Sequence, residues 1–135
     1  MKTIIALSIA AAMLPAFAHH AFNAEFDGKQ PIKLRGKVSK VEFINPHSWI
    51  HVDTVGEDGK PVTWMIEGGS PNTLFRRGVT QNSLALGTEV IVDGYRAKDG
   101  SNKANGRDIT LPDGKKLFLG SSAGEGAPYQ DGKAK

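Results

Sequence analysis

Apolar and polar positions alternate in short runs along most of this chain, with turn residues between the runs. The cleanest run is Ile32-Lys33-Leu34-Arg35-Gly36-Lys37-Val38, and a period of two marks a strand with one buried face. The alternation then slips by one and resumes at Val41 and Phe43. Such a phase change predicts a β-bulge near Ser39-Lys40, bending one long strand so that it serves two faces. Asn45-Pro46 ends that strand, because proline cannot donate to a ladder. A second strand is expected from about Ser48 to Val55, with Ile50, Val52 and Thr54 facing the core and His47, Trp49, His51 and Asp53 sharing the other face. Gly56-Glu57-Asp58-Gly59 reads as the hairpin turn into a third strand, Pro61 to Ile66.

A helix signal follows. Ser70 is placed as N-cap, Pro71 as the first helical residue, Leu74 and Phe75 as apolar contacts and Gly78 as the stop. The fourth strand is expected over Thr88 to Tyr95, then a polar loop at Lys98-Asp99-Gly100-Ser101-Asn102. A fifth strand runs from about Arg107 to Leu111, and Asp113-Gly114 turns the chain into a short last strand, Lys116 to Leu119. Five to six strands, with one short helix between the third and fourth, predict an all-β domain with the connectivity of an OB-like barrel. A generic β-sandwich and an open meander are the competing architectures.

The first 18 residues break this pattern. Lys2 gives a positive start, Ile4 to Leu14 an apolar stretch, and Ala16-Phe17-Ala18 a small-x-small cut site, the three parts of a secretory signal peptide. The apolar stretch is shorter than the roughly 20 residues of a membrane span, so no membrane anchor is expected after cleavage. The predicted organisation is signal peptide 1–18, one domain over 19–119, and a flexible tail 120–135 rich in Gly, Ser, Ala and charge. Export points to the periplasm, or to secretion.

Composition then narrows the chemistry. The whole chain carries a formal net charge of +3, with 17 Lys+Arg against 14 Asp+Glu, and loss of Lys2 lowers the excess further. Without a basic run this argues against nucleic acid as a partner. There is no cysteine, so disulfides, thiolate ligands and cysteine catalysis are excluded, and stability rests on the core.

All four histidines fall early: His19, His20, His47 and His51. Cleavage after Ala18 makes His19 the first residue, so its α-amine and imidazole can close a chelate ring on one ion. This arrangement resembles the histidine brace of exported copper proteins, and a nitrogen and oxygen site suits copper, with zinc next. The second imidazole is assigned to His47, which follows Pro46 at a strand entrance; His20 is auxiliary or solvated. His47 and His51 lie about 13 Å apart along a strand, at about 3.3 Å per residue, so at most one of them partners His19. Both also have ordinary readings, as a turn residue and an outward strand residue. Trp49, His51 and Asp53 form a candidate ligand-binding face, whereas Trp64, in phase with Val62 and Ile66, reads as core. Glu67 has the chemistry of a ligand or acid but no evident partner, and Glu25 and Asp27 lie near the histidines in sequence. No Ser/His/Asp arrangement, phosphate loop or paired-acid spacing stands out.

Three segments together, Ala18-His19-His20-Ala21-Phe22, Asn45-Pro46-His47-Ser48-Trp49-Ile50 and Gly69-Ser70-Pro71-Asn72, resemble a family of small exported bacterial proteins classed as a domain of unknown function. The likeness covers about His19 to Leu119. It implies periplasmic export and a compact β-barrel, and matches the family's His-His start and Asn-Pro-His motif to His19, His20 and His47. At His51 the resemblance implies an aromatic or apolar residue, which weakens it as a ligand.

The expected function is therefore a periplasmic, non-enzymatic metal-binding module. The alternative is a metal-free module holding a small ligand or a periplasmic partner protein on the face around Trp49. A copper enzyme is the third class, and nothing in the sequence indicates a substrate cleft for it.

Overall fold

The structure, a computed structural model, describes residues 21–120; the predicted signal peptide, His19, His20 and nearly all of the predicted tail lie outside them. Residues 21–25 are helical and lead into β1 (Phe26–Glu42), followed by β2 (Trp49–Val55) and β3 (Pro61–Glu67). A short helix, Pro71–Arg76, precedes β4 (Glu89–Ala97), β5 (Lys103–Thr110) and β6 (Lys116–Phe118). The sheet order is β3-β2-β1-β4-β5-β6, and β3 also pairs with β5. Hydrogen bonds thus run in a ring through β1, β2, β3, β5 and β4. All pairings are antiparallel except β3 with β5, which is parallel.

β1 is the long bent strand that the phase slip predicts. Its first part pairs with β4 through Lys37, and from Lys37 onward it pairs with β2. The register moves from Val38↔Val52 to Lys40↔His51, leaving Ser39 as the extra residue. Val38, before the bulge, is buried in the core, and Val41 and Phe43, after it, pack against that core. One strand can close two sides of the ring because the bulge resets its phase.

The core comprises Val38, Ile50, Val52, Trp64, Ile66, Leu74, Val79, Leu84, Val90, Val92, Ala104, Ile109, Leu117 and Leu119. Ile50 and Val52 are fully buried, as the alternation in β2 requires, and Trp64 joins them as read from its phase. The helix is built by local chemistry. Ser70 Oγ accepts from Thr73 N, Pro71 occupies the first turn, and Gly78 turns the chain out at φ 79°. Leu74 is its buried contact; Phe75 is 47% exposed and packs on Phe43 at a ring-centroid distance of 5.0 Å.

β5 differs from expectation, beginning at Lys103 rather than near Arg107. Lys103-Ala104-Asn105-Gly106 has weak strand propensity, but it lies between β4 and the parallel partner β3, and pairing on both sides overrides propensity. Gly106 is required there: a Cβ would stand 2.5 Å from Leu119 Cδ1 and 2.7 Å from Ile66 Cγ2.

A second, smaller apolar cluster lies outside the main core. Phe22, Phe26 and Ala97 are buried together with Tyr95 packed against them. Phe22 stacks on Phe26 and meets Tyr95 edge-on, both at 5.8 Å. Lys98 N donates to Glu25 O at 2.9 Å, and Lys98 Nζ donates to Asn23 O. These contacts fasten the start of the described chain against the end of β4.

Candidate functional site

The register aligns a row of residues across the strands: Tyr95 opposite Asn105, Asn105 opposite Glu67, Glu67 opposite Trp49, and Trp49 opposite Glu42. Directly paired residues share a face, and in β2 and β3 this face is opposite to Ile50 and Ile66. The row therefore lies on the outer side of the ring. Its middle is nevertheless covered, since Asn105 is fully buried and Glu67 only 7% exposed. The polar centre of the row lies beside the segment fastened by Phe22 and Phe26.

His47 reaches this centre from the turn between β1 and β2, where the Asn45–Pro46 peptide is cis. Ser48 N donates to Gly69 O at 2.9 Å and Gly68 N to Ser48 O at 2.8 Å, tying that turn to the end of β3. His47 Nδ1 lies 3.6 Å from Glu67 Oε1. That is beyond a good hydrogen bond, and Nδ1 is buried without a hydrogen-bond partner. Asn105 Nδ2 donates to the same Glu67 oxygen at 3.3 Å.

Electrostatics at Glu67 are opposed. Burial is the largest influence and raises its pKa; the His47 charge lowers it, the Glu25 charge raises it, and Asn105 and Lys103 lower it. The net direction is upward. Glu25 is thus close enough for its charge to be felt at Glu67, although the two are remote in sequence. The neighbours that the sequence does not reveal for Glu67 are His47 and Asn105, which face it, and the charges of Lys103 and Glu25, one attractive and one repulsive.

The predicted ligand-binding face is assembled differently. Trp49, His51 and Asp53 do point to one side. However, His51 Nε2 lies 2.9 Å from Glu42 Oε2, and Lys40 Nζ lies 2.7 Å from the other Glu42 oxygen. These two neighbours, Lys40 first, hold the Glu42 carboxyl below its ordinary pKa. Asp53 Oδ1 accepts from Thr63 Oγ1 at 2.7 Å and Ser39 Oγ at 3.0 Å. His51 and Asp53 therefore each have a cross-strand partner. Trp49 remains half-buried, with Lys103 Nζ 5.7 Å from its ring centroid.

Among the described residues, no group of three or more His, Cys, Asp or Glu side chains is arranged to hold a metal ion. The structure brings together two candidate donors, His47 and Glu67; His19 and His20 lie outside the described residues. Also among the described residues, no helix is long and apolar enough to cross a membrane.

Residues 6–106 match the model of DUF6152, a family of unknown function, and the chain belongs to that family. No curated protein and no solved structure matches it.

Proposed function

We propose that this member of the DUF6152 family is an exported, periplasmic metal-binding protein built on a small OB-like barrel. The barrel reading is supported by the ring β1-β2-β3-β5-β4 with its helix between β3 and β4, the connectivity of that fold. The mature chain begins at His19. Its α-amine and imidazole, with the imidazole of His47, hold copper, or zinc as the next choice, and His20 is auxiliary.

The observation that carries this reading is the buried, unpartnered Nδ1 of His47. An imidazole nitrogen withdrawn from water without a hydrogen bond costs free energy, and a bound cation would satisfy it. Chain geometry supports the same reading. Glu25 lies within electrostatic reach of Glu67, which brings the residue six positions after His19 near the carboxylate that His47 faces.

The test is a Cu(II) titration of the processed protein, followed by its EPR spectrum. The expected result is one tightly held ion per chain, lost in His47→Ala. Micromolar or weaker binding that is indifferent to His47→Ala would sink the reading. One observation favours a second reading, in which no metal binds: half-buried Trp49 beside Lys103 is a surface on which a small ligand or partner protein could stack. In that case Trp49→Ala, not His47→Ala, abolishes binding.

A further inference from the structure

Resting on that reading of His47, we infer that Glu67 is a ligand of the same ion, and that its carboxylate makes the site selective for divalent metal over Cu(I). The inference begins with an ion-pair distance that is too long for a hydrogen bond. His47 Nδ1 and Glu67 Oε1 stand 3.6 Å apart. Two ligands that each bind a cation at about 2.0–2.2 Å, as imidazole nitrogen and carboxylate oxygen do with zinc, are separated by this distance when the angle at the metal is about 110–130°. A tetrahedral angle lies at the lower end of that range. The pair therefore has the bite of a chelate, and as a direct contact it is an ion pair without a hydrogen bond.

Charge favours the same occupant. Glu67 is a carboxylate taken out of water, and burying an ionised group is expensive unless it is paired. The groups around it are His47, Glu25, Lys103 and Asn105. Glu25 adds a second negative charge, Lys103 a positive one, and Asn105 Nδ2 fixes one carboxylate oxygen by donating to it. A divalent cation at His47 compensates both carboxylates at once. The Asn105 contact holds the ligand oxygen in place, as outer partners do around metal-binding carboxylates.

The selectivity follows from ligand character. A hard carboxylate oxygen suits Zn(II) and Cu(II), whereas Cu(I) prefers soft sulfur donors, and this chain has no cysteine. Removing the carboxylate should therefore weaken divalent binding and leave Cu(I) binding by imidazole almost unchanged.

The experiment uses the mature chain from His19, stripped of metal and titrated in competition with a chromophoric chelator. Zn(II), Cu(II) and Cu(I) are each titrated against wild type, Glu67→Gln, Glu67→Asp and His47→Ala. The expected result for Glu67→Gln is a loss of about tenfold or more for Zn(II) and Cu(II), with Cu(I) changed by less than about threefold. Glu67→Asp keeps the charge but withdraws the oxygen by one methylene, so it loses divalent affinity as well; full retention would mean that Glu67 acts only through its field and would overturn the assignment. It also serves as the second variant should Glu67→Gln fail to fold. If His47→Ala loses metal while both Glu67 variants keep it, Glu67 is no ligand and the His47 reading stands. If none of the variants loses metal, both readings fail.

Discussion

Gly94→Ala isolates the contact by which β4 and β5 position the site. Gly94 is not among the glycines with positive φ, so alanine meets no conformational penalty there; the demand is steric. A Cβ would lie 2.3 Å from Asn105 O, 3.1 Å from Asn105 C and 3.3 Å from Gly106 Cα. Ordinary van der Waals contact begins at 3.4 Å, so the two strands must separate by about 1 Å. The obstructing atoms are backbone, paired as Gly94↔Gly106 and Tyr95↔Asn105, and cannot rotate away. The cost belongs at the upper end of overpacking, about 3 kcal/mol. At about 4–8 °C per kcal/mol for a domain of this size, Tm should fall by about 12–24 °C. Thermal unfolding of the metal-free protein by circular dichroism measures it. Gly59→Ala is the control, since Gly59 has φ +77° and nothing within 4 Å; its strain should cost about 1 kcal/mol. A Tm for Gly94→Ala within about 3 °C of wild type would refute the close approach and, with it, the tight seating of Asn105 against Glu67.

Four further outcomes follow from the same structure. Ser70→Ala removes the side-chain acceptor for Thr73 N and should cost about 1 kcal/mol, with Ser70→Asp restoring it; thermal melts decide. Leu74→Ala empties a fully buried position and should cost about 2–5 kcal/mol by denaturant titration. Phe22→Ala takes a ring from the small cluster with Phe26 and Tyr95. Hydrogen exchange should accelerate in residues 21–27 and leave β2 and β3 protected, and equal loss everywhere would contradict a separate cluster. In the metal-free protein, the raised pKa of Glu67 means that the folded state holds that proton more tightly than the unfolded state. Its stabilising contribution is therefore present below the ordinary glutamate value of 4.5 and lost as pH rises through the folded value. Glu67→Gln should remove this decline, so its stability relative to wild type should grow as pH rises above the ordinary glutamate value, as followed by urea titration.

Where structure depends on neighbours in the chain, the sequence was readable. The bulge at Ser39 shows as a slip in alternation, and the helix follows from Ser70, Pro71 and Gly78 within nine positions. The same holds for the outward face of Trp49, His51 and Asp53. The first half of β5 was hidden because Asn105 and Gly106 favour turns, and only two flanking strands make them a strand. Glu67 looked partnerless for a related reason: Asn105 lies 38 residues away, and Glu25 is brought near by the cluster that fastens β1. The Glu42 partner of His51 emerges only once the register is known. His47 was singled out for its place after Pro46, and the structure adds the buried carboxylate opposite it.

The central claim is that export itself creates a metal ligand at residue 19. It is tested most directly by comparing two proteins, one beginning at His19 and one with a single extra residue ahead of it. Both are titrated with Cu(II) and read by EPR. The account predicts that the extra residue abolishes tight binding and changes the nitrogen hyperfine pattern, because the α-amine is displaced from His19. Identical affinities and spectra for the two proteins would contradict it.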